Sequence, residues 1–375
     1  MSAETYHKTN IEGGSSYHFF KGRVALYAIL NAIGVGADDE VIIPAFTCVV
    51  VPNAISYLNA KPVYVDISRS TFNLDPEKLE ESITESTKAI IAQHTFGIPA
   101  DMDKILGIAK KYQLYVIEDS CHAIGSRYRS EEVGTLGDAA FFSSQWSKPI
   151  TTGLGGWAIV NNKEIGQMMK ELYPSFVEPS NKDILLLRFQ YLAYSLLLKP
   201  SMFWYLQGFY RSLANLGLVI GSSSKEELEH KMSIDYKMKM SDWQKSLLSE
   251  KSEEIENVIE HRKWIVSLYE DSLRKRGMEI VQLPKYYDPV FLRYPILVKD
   301  KAKTLKEAKK SRVELGDWFV SPVHPNLNGW EKINYQKGMC PTAEYVCNHI
   351  INLPTHMRIT EQETKRIIQV IERIN

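Results

Sequence analysis

A single amine, Lys148, stands in the stretch FFSSQWSKPITTGLGG (141–156), set between Ser147 and Pro149 after an apolar run and before three glycines. A lysine is ordinarily a solvated surface charge. Here Ser143, Ser144 and the glycines offer hydroxyl and backbone donors, which makes an anion site beside the amine. Twenty-nine residues earlier, LYVIEDSCHAIGS closes another apolar run on Glu118 and Asp119. The ordinary reading of an acid at a strand end is a helix N-cap. Taken together, an amine able to form a Schiff base, a phosphate cradle and an acid that can face a pyridine nitrogen are what pyridoxal 5'-phosphate (PLP) requires. Neither motif is decisive alone.

These residues need a scaffold that brings strand ends together. EVIIPAF, KPVYVDI, KAIIAQHTFG, LYVIEDS, DAAFFSS and GWAIVNN are short β-branched or aromatic runs, and intervening stretches such as DMDKILGIAKKYQ carry helical spacing. The alternation predicts an α/β fold with a mostly parallel sheet between helices. In such sheets ligands sit at the carboxyl ends of the strands, where both motifs fall. ILLLRFQYLAYSLLLKP (184–200) sets Leu185, Phe189, Leu192 and Leu196 on one helical stripe and Leu187, Tyr191, Tyr194 and Leu198 on the other. Arg188, Lys199 and Pro200 interrupt it too often for a membrane span. The preferred reading is a helix held between the core and a neighbouring subunit, with peripheral membrane contact as the alternative. GSSSKEELEH (221–230) reads as a mobile connector, and Met240 to about Arg276 as one long helix leading into a second domain. That domain has strands near FLRYPILV and WFVSPVH and closing helices near PTAEYVCNHII and ETKRIIQVIERI.

The chain has 375 residues, 44% hydrophobic and 24% charged, enough for a large core and two domains. Lys plus Arg (45) equals Asp plus Glu (45). That balance leaves no overall basic field for nucleic acid or an acidic membrane, so neither is expected as a partner. Cys48, Cys121, Cys340 and Cys347 lack metal-ligand spacing, and MSAETYHKTN lacks the apolar core of a signal peptide. A cytoplasmic location, reduced thiols and no metal are expected.

GADDEVIIPAFTCVVVPNAISYLNAKPVYVDI, TKAIIAQHTFGIPADMDKILGIAKKYQLYVIEDSCHAIGS and GDAAFFSSQWSKPITTGLGGWAIVNN resemble the DegT/StrS-type family of PLP-dependent sugar aminotransferases, as does the closing CPTAEYVCNHIINLPTHMRIT. The resemblance runs from about Lys21 to the end, except for roughly residues 171–235. It implies an aspartate-aminotransferase-type fold (fold type I): a large PLP domain, a smaller α+β C-terminal domain, and a homodimer with active sites at the interface.

Carried over by position, the resemblance makes Lys148 the Schiff-base lysine, Asp119 the acid paired with the PLP ring nitrogen and Ser143 a phosphate ligand. Lysine rather than histidine at 148 favours transamination over dehydration. His122 replaces the family's usual glutamine near the PLP 3-oxygen, and its charge is expected to depend on pH. Cys48 stands where an aromatic often stacks on the ring. Lys21, Gly22 and Arg23 replace the Ser-Gly-Thr phosphate turn, and Lys237-Met238-Lys239 the Asn-x-Arg block that reaches across the dimer. The chain before Lys21 is shorter than is usual in the family. His324 matches a position near the sugar pocket. His94 reads as a packed strand-end histidine and Cys121 as a structural thiol.

The expectation is a PLP-dependent aminotransferase that carries an amino group from glutamate to a keto-sugar, nucleotide-linked, for amino-sugar, surface-polysaccharide or antibiotic synthesis. The alternatives are a PLP-dependent dehydratase, an aminotransferase on a non-nucleotide cyclic ketone or keto-sugar acid, and a PLP-binding regulator without turnover. The expected domains are 1–235, with an apolar helical insertion at about 171–220, and 236–375. The expected site residues are Lys148 and Asp119 as catalytic groups, with His122, Ser143, Gly22, Arg23, Cys48 and Lys237 around the cofactor and His324 toward the substrate.

Overall fold

The computed structural model describes residues 10–11, 14–197, 205, 225–325 and 329–374. The chain's first nine residues, Leu198, the second half of the apolar insertion and the start of the GSSS connector lie outside the described residues.

Eight strands form the central sheet: β1 (Asn10–Ile11), β2 (Gly14–Phe19), β3 (Glu40–Pro44), β4 (Lys61–Val65), β5 (Thr87–Gln93), β6 (Tyr115–Asp119), β7 (Ala139–Ser143) and β8 (Gly156–Val160), in the order β1-β2-β8-β7-β6-β5-β3-β4. From β7 to β4 every pairing is parallel, whereas β7–β8, β8–β2 and β1–β2 are antiparallel. Every residue of β7 and β8 is buried, as near-continuous apolar runs in a covered sheet require. The register sets Asp119 opposite both Gln93 and Phe141. The strand ends are therefore flush, and the two motif-bearing loops leave from one edge.

Two early helices fix that edge from either side. Helix α1 (Gly22–Ala32) follows β2 directly and buries Val24, Ala25, Leu26, Ala28, Ile29 and Leu30. Helix α2 (Met102–Tyr112) starts from the Asp101 side-chain cap and stops at Gln113, whose backbone is left-handed. Helix α3 (Asn181–Leu197) carries the two apolar stripes read from the sequence as far as Leu196 and Tyr194.

Three expectations change. The long helix after Met240 is two, α4 (Asp242–Glu253) and α5 (Ile255–Arg274), because Glu254 takes φ −90 and ψ 0, outside helical geometry. The part of the connector that is described is not loose: Lys225–Leu228 is a short helix with Glu227 fully buried against two cations. WFVSPVH supplies only Val323–His324 as strand.

The C-terminal part holds β9 (Arg293–Leu297) antiparallel to β10 (Ile350–Pro354), with helices on its faces. One pairing ties it to the early chain. Thr47–Cys48 runs parallel to Val323–His324, with His324 opposite Cys48.

Candidate active site

Lys148 is delivered by a stiff hairpin. Phe142 on β7 and Trp157 on β8 are paired and stacked, with ring centroids 5.0 Å apart and planes 2° from parallel. Beyond them the loop keeps closing on itself: Ser144 N–H donates to Gly155 O at 3.0 Å, Trp146 N–H to Gly153 O at 3.0 Å, and Thr152 N–H to Ser144 O at 2.8 Å. Gly155 is required here, since a Cβ would fall 2.2 Å from Ser144 Oγ. Ser147 has φ 68, the left-handed region that non-glycine residues seldom adopt, and this kink precedes the lysine. Burial depresses the amine below the ordinary lysine range, while the neighbouring Cys121, Asp119 and Cys48 oppose that shift.

Of the two adjacent acids only Asp119 belongs to the site. Glu118 is fully buried and saturated, with His94 Nε2 at 3.0 Å and the backbone N–H groups of Gly134, Leu136 and Gly137 at 2.7, 2.8 and 2.7 Å. His94 Nδ1 accepts from Ala100 N–H at 2.9 Å, so its proton sits on Nε2 and points to Glu118. It is a packed strand-end histidine. Asp119 begins no helix and accepts the turn N–H of Cys121, at 3.1 Å. The helix-cap reading is set aside. Burial raises its pKa above the ordinary range, against the Cys121 hydrogen bonds and the Lys148 cation.

The start of α1 packs on the end of β7. A Cβ on Gly22 would lie 2.8 Å from Phe142 O and 3.0 Å from Ser143 Cβ, so only glycine allows this approach. The helix has no side-chain cap at Lys21, and its N-terminus faces the Ser143 hydroxyl's end of β7. That is a place for an anion. The two cations flanking Gly22 are engaged: Arg23 Nη1 meets Glu227 Oε1 at 2.6 Å, and Lys21 pairs with Asp235. Glu227 overrides the burial that would lower the Arg23 pKa, and the net shift is upward.

His122 corrects one expectation. Its ring stacks on Trp318, with centroids 5.6 Å apart and planes at 18°, and on Phe96 at 6.4 Å. Burial first, then the Lys148 and Arg293 cations, hold its pKa well below the ordinary value. It stays neutral through the physiological range instead of titrating there. Nδ1 accepts from Phe96 N–H at 3.4 Å, leaving Nε2–H to donate. Cys48 and Cys121 are raised by burial and so stay protonated thiols at neutral pH.

Sequence reasoning missed the wall that the C-terminal part supplies. Trp318 is clamped through its backbone by the buried Asn352, which accepts from Trp318 N–H and donates to Trp318 O, both at 2.9 Å. Two cations approach this one indole: Lys148 Nζ at 5.7 Å and the Arg293 guanidinium at 4.8 Å. Gly316 leaves room for Arg293, because a Cβ there would fall 2.8 Å from its Nη1. Among the described residues no carboxylate comes within ion-pair range of Arg293. Its signal in the sequence was a lone arginine opening the apolar strand RYPIL. His324 reaches the site through its pairing with Cys48, and its ring lies 6.4 Å from that of Trp318. Lys237 stays outside the cluster within one chain: its side chain is exposed and its carbonyl accepts from Val177 N–H at 2.8 Å.

The residues fit PLP. The glycine cradle beside Ser143 at a helix start suits a phosphate, Asp119 suits a protonated ring nitrogen, and Lys148 is an amine with depressed basicity at the same edge. Among the described residues no group of three or more His, Cys, Asp or Glu could hold a metal.

A family model described as the DegT/DnrJ/EryC1/StrS aminotransferase family matches residues 19–372. Over 356 residues the chain is 31% identical to the uncharacterized protein MJ1066 of Methanocaldococcus jannaschii, covering 93% of this chain and 83% of that one. It is 28% identical over 357 residues to a GDP-perosamine synthase of Caulobacter vibrioides, covering 94% and 84%. Among solved structures, the PLP form of the putative sugar aminotransferase Spr1654 of Streptococcus pneumoniae superposes with a TM-score of 0.76 at 23% identity, covering 99% of this chain and 88% of that one. The fold is that of the fold type I PLP aminotransferases.

Proposed function

Since the chain belongs to the DegT/DnrJ/EryC1/StrS aminotransferase family, whose members work with PLP, we propose that it moves an amino group from glutamate to a keto-sugar carried on a nucleotide. The carrying observation is that one sheet edge brings together an amine of lowered basicity, Lys148, and an acid of raised pKa, Asp119. Both perturbations come from burial: a protonated ring nitrogen held by Asp119 would favour its charged form, and the lowered basicity of Lys148 suits an amine that must bond to the cofactor. The nucleotide-linked sugar is supported by the relative named as a GDP-perosamine synthase.

When bound, PLP supplies an electron sink for the carbon that exchanges its nitrogen. The protein supplies the rest. Lys148 Nζ, its basicity lowered by burial, would hold the cofactor covalently and, once released, carry a proton to or from the reacting carbon. Asp119 holds a proton on the ring nitrogen by remaining charged. Gly22, Ser143 and the first turn of α1 receive the phosphate. His122 donates from Nε2 without changing charge, and Trp318 and the buried Phe319, its ring 6.3 Å from that of His122, keep water off that face. Arg293, a cation with no carboxylate in ion-pair range among the described residues, receives the α-carboxylate of the amino donor. Donor and sugar use the site in turn, so the order is ping-pong.

The division at residue 235 and a homodimer in a cytoplasmic setting complete the reading, with Lys237 crossing to the neighbour's phosphate. The direct test is a half-reaction: glutamate added to the PLP-loaded protein should convert the cofactor to pyridoxamine phosphate, followed by absorbance. A panel of keto-sugar nucleotides, with products read by mass spectrometry, should then regenerate PLP. A protein that binds PLP and stays silent with every amino donor would be a regulator instead.

A further inference from the structure

Helix α3 is anchored by one face and bare on the other. Leu187 is fully buried, Tyr194 and Tyr191 lie 5.0 and 6.5 Å from the Trp146 ring, and Tyr191 meets Trp243 at 6.0 Å. The opposite stripe is Leu185, Phe189, Leu192 and Leu196, at 56, 64, 55 and 68% exposure. Four large apolar side chains more than half exposed in one row make a patch of roughly 400 Å², the scale that marks an interface on a soluble protein. Among the described residues no helix is long and apolar enough to cross a membrane.

Charge chooses the occupant. From Ile184 to Ser224 the sequence contains Arg188, Lys199 and Arg211 and neither Asp nor Glu, although the chain as a whole carries equal numbers of each sign. The same 41 residues hold eight aromatics. A second copy seated on this face by two-fold symmetry would set Arg188 of α3 against its own counterpart, with no acid in the run to offset it. An anionic lipid surface offers the opposite sign to the cations and an acyl boundary to the leucines and aromatics. Arg188, exposed beside the stripe, has its guanidinium 5.4 Å from the Trp243 ring.

We propose that the outer face of α3 docks on the surface of an anionic bilayer, lying along it and not crossing it. This departs from the subunit-covered helix expected from the two apolar stripes alone. Because the inner face grips Trp146, two residues before Lys148, docking sets the catalytic loop one side-chain layer from the lipid.

The test is flotation of the full-length, PLP-loaded protein with vesicles of phosphatidylcholine alone or mixed 3:1 with phosphatidylglycerol, at low and high salt. Expected is at least a tenfold preference for the phosphatidylglycerol vesicles, weakened by salt. The quadruple variant Leu185→Gln, Phe189→Gln, Leu192→Gln, Leu196→Gln should stop floating while keeping its melting temperature and glutamate half-reaction. Should that variant not fold, Phe189→Glu alone should give the same loss. Wild-type protein that ignores both vesicles overturns the proposal, as does a quadruple variant that still floats. A wild-type assembly that the substitutions reduce in mass by light scattering also overturns it, since a second copy would then cover the face.

Discussion

Asp119 is a carboxylate whose environment disfavours its charge until a cation arrives. In the folded apoprotein the carboxyl protonates at higher pH than in the unfolded chain. The charged native form is therefore penalised above that raised pKa, and the penalty fades as pH falls below the ordinary carboxylate range. Apo Asp119→Asn should thus melt a degree or two above apo wild type at pH 8, with the gap closing toward pH 4, read by scanning fluorimetry on cofactor-stripped protein. The loaded variant should lose about 100-fold or more in turnover while still binding PLP, since a neutral amide cannot hold the ring proton. At Lys148, replacement by alanine should abolish transamination, and borohydride should no longer fix the cofactor to the chain by intact mass. His122 makes a contrary prediction. Because burial keeps it neutral, the pH–rate profiles of wild type and His122→Gln should have the same shape between pH 6 and 8, and an inflection lost in the variant would show that the imidazole titrates. Arg293→Met should raise the glutamate KM about tenfold or more and leave the sugar half-reaction largely unchanged, which separates a donor contact from a sugar contact.

At the scale of elements, the strand ends carrying Lys148 and Asp119 were legible because apolar runs of that length have few other places to go. The α1 turn was legible only by resemblance. What it packs against was not, because Gly22 meets Phe142 and Ser143 through a sequence gap that no local pattern spans. Trp318 and Arg293 were illegible for the same reason: each is an ordinary residue in its own segment, and only distant pairings, Thr47–Cys48 with Val323–His324 and Arg293–Leu297 with Ile350–Pro354, bring those segments together. The helix after Met240 was misread because Glu254 has no breaker chemistry to announce the kink. Gly22→Ala should raise the PLP dissociation constant at least tenfold, since its Cβ collides with a backbone oxygen that cannot swing away. Glu227→Ala leaves the buried Arg23 without its carboxylate, a loss of about 3 kcal/mol on the scale of broken buried pairs. Urea denaturation should show it, with proteolysis newly admitted between residues 225 and 239.

Across the molecule, the apolar core runs without a break from the α1 side of the sheet into the C-terminal part, so closure of the site wall and consolidation of the core are one event. If Lys237 serves the neighbour's phosphate, Lys237→Ala should weaken PLP binding by about tenfold, the worth of one charge-assisted contact. Mixing it with Lys148→Ala should then restore activity above either variant, because mixed dimers would keep one intact site; no recovery after proven subunit exchange would remove Lys237 from the neighbour's site. The place of β2 carries a consequence for how the protein is born. Phe19 pairs with Gly156, more than 130 residues later. On the ribosome, at roughly 5 to 20 residues per second, the N-terminal strand must wait several seconds or longer with no partner to its β8 side. The glycine cradle at the start of α1 cannot exist until that hairpin has emerged. The wall bearing Arg293 and Trp318 comes later still, so a nascent chain has no complete place for the cofactor until Trp318 has emerged.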